Sequence, residues 1–285
     1  MLSGSKVVPR KLALSSLISK GRQGVFVFWV ENVVDNDTTL FYDAVADDYH
    51  WWYRDWDTQL EREGLNLRRY FRDHGVQTVL DASCGPGTQT IALARLGYHV
   101  TAADPSAGLL ERARQHAAEY EVLDQINFVQ SDFQNLLNQV PGPFDAVITK
   151  GNSLPHLLRD EEIEETLLAF YELLRPGGLL LIGMRDFELL LEDRPRFWPG
   201  QVHDEPGEQI ITFDIWDWDD GPPITVTLNR FMVRGDGETY QTSKRPVVFR
   251  ALTAEEVEVV MSEVGFENIH AQHDRWERLM LATRP

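Results

Sequence analysis

The chain has 285 residues, of which 43% are hydrophobic and 25% are charged, so it holds enough apolar material for a folded core and is not a disordered chain. Its length favours one large domain, or one domain with an appendage. The formal net charge is −18, and so negative a surface repels nucleic-acid phosphates and anionic lipid headgroups. We therefore expect neither a nucleic acid nor a membrane as a partner.

The cysteine content limits the structural chemistry that is available to the chain. Cys84 is the single cysteine, so no disulfide can form within the chain. No Cys/His cluster has the spacing of a zinc site, and no apolar run approaches the length that spans a bilayer. We expect a protein of a reducing compartment, the cytoplasm, with no metal site.

The first 34 residues differ in charge from the rest of the chain. They contain several serines and one acid, Glu31, against the basic residues Lys6, Arg10, Lys11, Lys20 and Arg22. Such a segment resembles an organelle transit peptide, whereas the apolar run 25–30 is too short for a secretory signal. We favour a poorly ordered extension over residues 1–38, or a start site placed too far upstream, before a domain over 39–285.

The next part of the chain shows a helix and then alternating strands and helices. Apolar residues with helical spacing from Asp57 to Gly75 predict an amphipathic helix. Strands are then predicted at 78–81, 98–104, 126–130, 144–149 and 179–183, separated by helices near 90–97, 106–120 and 161–174 and by a turn at 175–178. This alternation predicts an α/β fold with a doubly wound parallel sheet, because the crossovers place helices on both faces.

After Arg185 the pattern changes to alternation with a period of two. The runs 211–218 and 224–231, with a later strand near 247–250, predict an antiparallel insert over 188–250. Thr253 and Glu256 form a capping box that opens a helix to about residue 263. Two strands, 266–269 and 277–281, then return to the main sheet.

A loop at the end of the first predicted strand has the composition of a ligand-binding loop. It reads Asp81-Ala82-Ser83-Cys84-Gly85-Pro86-Gly87, and its glycines let the backbone approach a ligand closely. In a parallel sheet the ligand lies beyond the carboxyl ends of the strands, where this loop is placed. A dinucleotide fingerprint requires a third glycine where this chain has Thr90, which counts against NAD. Asp81 suits a ligand with a cationic amino group.

Two further strands also end in carboxylates. Asp104 ends the second predicted strand, where a carboxylate can accept hydrogen bonds from both hydroxyls of a ribose. Asp132 and Phe133 follow the third strand, where they could bind the amine of an adenine and pack on its ring. Each aspartate alone could be a turn residue. Three at successive strand ends, beside a glycine loop, predict a site for an adenosine that carries an amino acid.

With these residues the sequence resembles the class I S-adenosylmethionine-dependent methyltransferases. Residues 79–87 resemble their first motif, Asp104 their ribose-binding acid, 132–133 their adenine site and 174–178 the turn before their fifth strand. The resemblance implies a Rossmann-like, mostly parallel seven-stranded sheet and S-adenosylmethionine as cofactor. The cofactor-binding residues that we expect are Tyr42, Trp51, Asp81, Ser83, Gly85, Gly87, Asp104, Pro105, Asp132, Phe133 and Lys150.

Two further segments, 150–157 and 184–187, resemble the glycine N-methyltransferase group, which includes glycine/sarcosine and sarcosine/dimethylglycine enzymes. The resemblance implies that Asn152 and Arg185 hold the carboxylate of the methyl acceptor. It also implies that residues 39–75 contain an aromatic lid and the first helix. We expect catalysis by Asn152, Arg185 and Tyr53, and substrate contacts from Tyr49, Trp52, Asn152, His156, Arg185 and His203. The implied substrate is glycine, sarcosine or dimethylglycine, methylated on its amine.

Two other functions stay open at this point. The same fold could methylate a hydroxyl or a carbon in secondary metabolism, with His156 or His203 as general base. The chain could also bind the methyl donor without turning it over. Single residues also have structural interpretations: Arg185 could pair with an acid on the insert, and the aromatic residues 51–53 could serve packing alone. A homo-oligomer is compatible with the sequence.

The charge and pattern of residues 1–38 predict that they are dispensable for chemistry. They match no part of the resemblance and carry the opposite charge to the domain, so a chain without them should keep its turnover. The measurement is release of S-adenosylhomocysteine by the shortened and the full chain. Loss of donor binding by a folded, shortened chain would contradict the prediction.

Overall fold

The computed structural model describes residues 38–274 and 277–285. The predicted extension, residues 1–38, therefore lies outside the described residues except for Thr38, which is the first residue of a helix. The deletion that tests the extension should accordingly end at residue 37. None of the helices in the described ranges is both long enough and apolar enough to cross a bilayer.

Strands and helices alternate through the first two thirds of the described chain. The strands are β1 (Thr78–Asp81), β2 (His99–Asp104), β3 (Ile126–Gln130), β4 (Phe144–Thr149), β5 (Leu174–Arg185), β6 (Phe197–Glu205), β7 (Glu208–Asp219), β8 (Thr225–Gly235), β9 (Tyr240–Arg250), β10 (Glu267–Asp274) and β11 (Glu277–Thr283). The α-helices are α1 (Thr38–Val45), α2 (Trp56–Phe71), α3 (Thr88–Arg95), α4 (Ala107–Glu119), α5 (Leu136–Gln139), α6 (Asp160–Leu173), α7 (Phe187–Asp193) and α8 (Ala254–Val264). A 3₁₀ segment, Ala46–Trp52, follows α1.

The main sheet has seven strands in the order β10-β11-β5-β4-β1-β2-β3. Strands β1 to β5 are parallel, and β11 runs antiparallel to both of its neighbours. The predicted fold class, a mostly parallel seven-stranded sheet with an antiparallel insert after the fifth strand, is confirmed. The predicted turn at 175–178 instead lies within the first residues of β5, opposite a register shift between Phe144 and Ala146.

Both faces of the main sheet are buried, because successive residues of a strand point to opposite sides. Leu80 packs in the cluster that contains α6 residues such as Phe170, and its neighbour Val79 packs with Phe71 of α2 on the other face. This explains why β1 and β4 read as continuous apolar runs in the sequence. Because both faces are covered, a ligand can reach the sheet at the carboxyl ends of its strands.

The insert forms a second sheet in the order β6-β7-β8-β9. Sequence patterning missed β6, whose alternation is interrupted at Pro199 and Gly200, where the register with β7 shifts. Residues of α1 and of the insert share one apolar cluster, in which Phe41 joins Trp216 and Phe249. This cluster holds α1 and the insert together beyond the carboxyl ends of β4 and β5.

The capping box of α8 gives a prediction for stability. The Thr253 hydroxyl accepts a hydrogen bond from the Glu256 amide at 3.2 Å, and the Glu256 carboxylate accepts one from the Thr253 amide at 2.8 Å. Thr253→Ala should therefore lower the free energy of unfolding by about 1 kcal/mol, while Thr253→Ser keeps the hydroxyl and should stay close to the wild type. Urea unfolding of the three proteins measures this. Equal midpoints for the alanine variant and the wild type would show that the cap does not stabilise the domain.

Candidate active site

Two cavities lie beyond the carboxyl ends of the main strands. The loop cavity, of about 210 Å³, is bordered by the glycine loop after β1 and by the ends of β2 and β3. The insert cavity, of about 330 Å³, lies between α2, the start of β11 and the insert. Both are lined by Tyr49, Tyr53, Gln89 and Gly151. A ligand in one cavity therefore lies next to a ligand in the other.

The two glycines of the loop have different roles. Gly85 has a φ of +52°, and a Cβ placed there would meet nothing within 4 Å, so its backbone faces open space in the loop cavity. Gly87 has a φ of +97°, and a Cβ there would lie 2.9 Å from Cδ1 of Ile91. Gly85 thus leaves room for a ligand, whereas Gly87 allows the loop to pack on α3.

Asp104 lies in the loop cavity with its carboxylate oriented by the backbone. Its two oxygens accept hydrogen bonds from the amides of Gly85 and Ser106, both at 2.9 Å. Burial raises the pKa of Asp104 to about 6, against the effect of these two amides. Each carboxylate oxygen keeps a lone pair that can accept a ligand hydroxyl. Pro105, Asp132 and Phe133 line the same cavity.

Asp81 lines neither cavity, so its contact with the donor stays a prediction. It is 1% exposed, and its carboxylate accepts a hydrogen bond from the Thr90 hydroxyl at 2.7 Å. Burial raises the pKa of Asp81 to about 7. Thr90, which stands where an NAD-binding fingerprint requires glycine, thus donates a hydrogen bond to a buried carboxylate. Ser83 lines the loop cavity and bonds to the Thr149 hydroxyl at 2.8 Å.

Lys150 borders the loop cavity, but its buried ammonium group belongs to an ionic triad with two carboxylates. Nζ lies 2.6 Å from Glu63 Oε2 and 2.9 Å from Glu277 Oε2. Burial acts to lower the pKa of Lys150, but the two carboxylates outweigh it and raise that pKa above its ordinary value. Gly183 makes room for this lysine, since a Cβ there would lie 3.0 Å from Lys150 Cγ. The ammonium is therefore occupied by protein carboxylates.

Arg185 extends from the end of β5 into the insert cavity. Its guanidinium carbon lies 5.1 Å from the centroid of a Trp216 ring and 5.5 Å from that of Phe249. Within residues 38–274 and 277–285, no carboxylate forms an ion pair with it. Asp214, the acid on the insert that could have done so, is bound by Arg230 through two contacts of 2.5 and 2.7 Å. Arg185 is thus a cation that aromatic faces hold in place and that lacks a described anion partner.

Asn152 supports the strand end from which Arg185 projects. It adopts a left-handed conformation with a φ of +73°, and its side-chain oxygen accepts a hydrogen bond from the Arg185 amide at 3.0 Å. Its Nδ2 is buried and has no partner among the residues that the structure describes. Asn152 borders neither cavity, so its direct contact with an acceptor stays a prediction.

The lid segment, residues 42–53, connects the two cavities. The rings of Tyr49 and Trp52 lie 4.1 Å apart, and the Arg230 guanidinium carbon lies 3.9 Å from a Trp52 ring centroid. Tyr53 reaches the Thr88 hydroxyl at 3.4 Å. Arg230, on β8, therefore ties the lid segment to the insert.

Both histidines considered as bases are engaged by the protein. His156 lies between the Val248 carbonyl, 3.1 Å from Nδ1, and the Tyr42 hydroxyl, 2.8 Å from Nε2. Nδ1 therefore donates and Nε2 accepts, and burial lowers the pKa of His156 to about 4. His203 bonds to the Trp51 carbonyl at 3.0 Å. Neither His203 nor Trp51 lines a cavity, so their predicted ligand contacts gain no support.

Comparison with known proteins identifies the family. A family model described as a methyltransferase domain matches residues 79–178. A glycine/sarcosine N-methyltransferase of Parasynechococcus marenigrum is 31% identical over 217 residues, which cover 75% of this chain and 72% of the relative. The chain belongs to the glycine/sarcosine N-methyltransferase group of S-adenosylmethionine-dependent methyltransferases. Human glycine N-methyltransferase is 34% identical over 132 residues, 42% of this methyltransferase and 44% of the human protein.

Solved structures show the same fold for this methyltransferase. The CcbJ methyltransferase of Streptomyces caelestis superposes with a TM-score of 0.71 at 18% identity, over 87% of this chain and 98% of the other. The amino pentose methyltransferase CalS10 of Micromonospora echinaspora, solved with S-adenosylmethionine bound, gives a TM-score of 0.67 at 18% identity, over 85% and 97%. S-adenosylmethionine is the cofactor of this methyltransferase.

The loop cavity fits this donor. The open space above Gly85 and the oriented carboxylate of Asp104 suit a ribose, while Asp132 and Phe133 border the space where an adenine would lie. For the proposals that follow, we call this cavity the donor cavity and the insert cavity the acceptor cavity. The sequence reading of this methyltransferase missed Gln89, Glu63, Glu277 and Arg230, all of which line the acceptor cavity. In the sequence these four residues differ from other charged or polar residues in no visible way, and they lie on elements whose predicted role was packing or sheet formation.

Donor binding should depend on the charge of Asp104. The pKa of Asp104 is about 6, so the carboxylate becomes protonated as the pH falls through that value. Donor affinity should therefore weaken below about pH 6. Asp104→Asn removes two charge-assisted hydrogen bonds of about 1.5–3 kcal/mol each and should weaken binding at least about tenfold at pH 8, with a flatter pH profile. Calorimetric titration of donor between pH 5 and pH 8 measures both effects. Equal affinity of the folded variant and the wild type would rule out this contact.

Proposed function

We propose that this methyltransferase transfers the methyl group of S-adenosylmethionine to the amine of a small acceptor that carries a carboxylate, of the glycine, sarcosine or dimethylglycine type. The observation that carries the proposal is the Arg185 guanidinium, which faces the acceptor cavity without a described carboxylate partner. A guanidinium held in this way can bind a carboxylate through two parallel hydrogen bonds. The names of two relatives at 31% and 28% identity, both glycine/sarcosine N-methyltransferases, support the same acceptor class.

The residues around the two cavities would act by orientation and by excluding water. When bound, S-adenosylmethionine supplies an electrophilic methyl group on a sulfonium. Arg185 would fix the acceptor by its carboxylate, and Tyr49 and Tyr53 would border the path between the cavities. Burial raises the pKa of Tyr53 to about 12, so its phenol stays protonated at neutral pH. Proximity and orientation of the two substrates would then supply most of the rate.

An amine acceptor fits this site better than a hydroxyl. A hydroxyl needs a general base, but both ring nitrogens of His156 are occupied, and its pKa of about 4 lies far below neutrality. His203 borders neither cavity. An amine attacks through its own lone pair once it has lost its proton to water, so it needs no protein base at the moment of methyl transfer. These observations favour N-methylation.

The acceptor assignment can be tested at Arg185. Arg185→Lys keeps the charge but loses the planar fork, so the Michaelis constant for the acceptor should rise about tenfold or more, with the donor dissociation constant nearly unchanged. Arg185→Ala should fall close to the background rate, because the bound carboxylate then lacks its cation. The assay is release of S-adenosylhomocysteine with glycine, sarcosine, dimethylglycine and methylamine as acceptors.

A matched control is Arg196→Lys, because Arg196 lies outside both cavities and pairs with Asp217 at the surface. It should keep the wild-type constants. Methylamine should be a poor acceptor for the wild type, since it has no carboxylate. Normal turnover of an amino acid by Arg185→Ala, or preference of the wild type for a bulky aromatic alcohol, would overturn the proposal.

A further inference from the structure

Glu277 lies directly opposite Arg185 in the main sheet. The two residues pair in the antiparallel register of β11 with β5. Side chains of directly opposite residues leave a sheet on the same face, with Cβ atoms about 4.5–5.5 Å apart, and opposite charges at such positions normally attract each other. Both residues line the acceptor cavity. Even so, no ion pair between them occurs in the described structure.

Each of the two charges is held away from the other. The Arg185 guanidinium lies against Trp216 and Phe249 of the insert. The Glu277 carboxylate bonds instead to Lys150 Nζ at 2.9 Å and to the Gly151 amide at 3.3 Å, both just after β4. The acceptor cavity thus presents a cation and an anion on neighbouring strands, separated by fixed contacts with the protein.

The other carboxylate of the ionic triad has a different environment. Glu63 accepts hydrogen bonds from Gln59 at 3.1 Å, from Gln89 at 3.4 Å and from Lys150 at 2.6 Å. Its side chain is 5% exposed, whereas that of Glu277 is 25% exposed. Glu63 also has a second cation beside it, since its Oε1 lies 3.5 Å from Nη2 of Arg62, whereas the ion pair of Glu277 among the described residues is with Lys150 alone. Glu277 is the member whose oxygens remain accessible to a ligand.

We propose that Glu277 binds the amino group of the acceptor while Arg185 binds its carboxylate, so that the cavity selects zwitterionic amino acids. This inference rests on the proposed function. The bound ammonium first loses a proton to water. Its lone pair then forms the N–C bond as the C–S bond breaks and leaves its electron pair on sulfur. The positive charge therefore passes from sulfur to nitrogen, where the Glu277 carboxylate stabilises it.

The test uses sarcosine as acceptor and acetate as a competitive inhibitor that carries only the carboxylate. For Glu277→Gln we expect kcat/KM for sarcosine to fall at least tenfold, while the inhibition constant of acetate and the dissociation constant of the donor stay within about twofold. Arg185→Ala should instead weaken acetate and sarcosine together. Glu277→Asp keeps the charge but retracts it from the cavity. It should show a smaller fall in kcat/KM for sarcosine and an unchanged inhibition constant for acetate. This variant also provides the test if the glutamine variant does not fold.

Glu162→Gln is the matched control, because Glu162 also pairs with a cation, Arg159 at 2.8 Å, and its side chain is 24% exposed, but it lies outside both cavities. Its ratio of sarcosine to acetate affinity should equal that of the wild type. An unchanged kcat/KM for sarcosine in Glu277→Gln, or the same selective loss in Glu162→Gln, would overturn the inference while leaving the proposed function intact. A wild-type protein that neither methylates an amino acid nor binds acetate would overturn the proposed function and this inference with it.

Discussion

Three charges, two of them buried, join the elements that enclose the two cavities. Lys150 follows β4, Glu63 lies on α2 and Glu277 begins β11, and their ionic contacts meet between the donor and acceptor cavities. Removing Lys150 would leave the buried Glu63 carboxylate without this ammonium, and the loss of one partner of a buried pair typically costs about 3–5 kcal/mol. Such a triad therefore fixes the position of α2 relative to the sheet, and with it the floor of the acceptor cavity.

The insert and the lid segment close the cavities from the other side. Arg230 binds Asp214 and lies over Trp52, and Arg234 binds Asp48 at 2.5 Å. These contacts have two effects on the chemistry: they hold the lid aromatics between the cavities, and they occupy the acid that would otherwise neutralise Arg185. The charge that is available to an acceptor thus depends on an ion pair elsewhere on the insert.

Local sequence patterns predicted the parts of the structure that local physics determines. The strands of the main sheet appear as apolar runs because both of its faces are buried, and Asp104 could be placed because it follows directly on such a run. The capping box at Thr253 was likewise visible within four residues. Strand β6 was missed because its residues are mostly exposed and its register shifts at Gly200.

The remaining features depend on contacts between distant parts of the chain. The pairing of Glu277 with Arg185 follows from the register of β11, which no local pattern specifies. Asp81 was expected to face a ligand because its position at a strand tip is visible, but its bond to Thr90 depends on how α3 packs. Whether a charge is available to a ligand therefore follows from tertiary structure, even where its residue type and strand position are correctly predicted.

The absence of a side chain at Gly183 restricts which residues related proteins can carry near the ionic triad. Any side chain there would occupy the space of the Lys150 methylene groups. A larger residue at position 183 would therefore require Lys150, and also Leu279, whose Cδ2 would lie 3.1 Å from the added Cβ, to shift. In an alignment of related sequences, joint variation at these positions would mark where the ionic triad arose and where another form of packing replaced it.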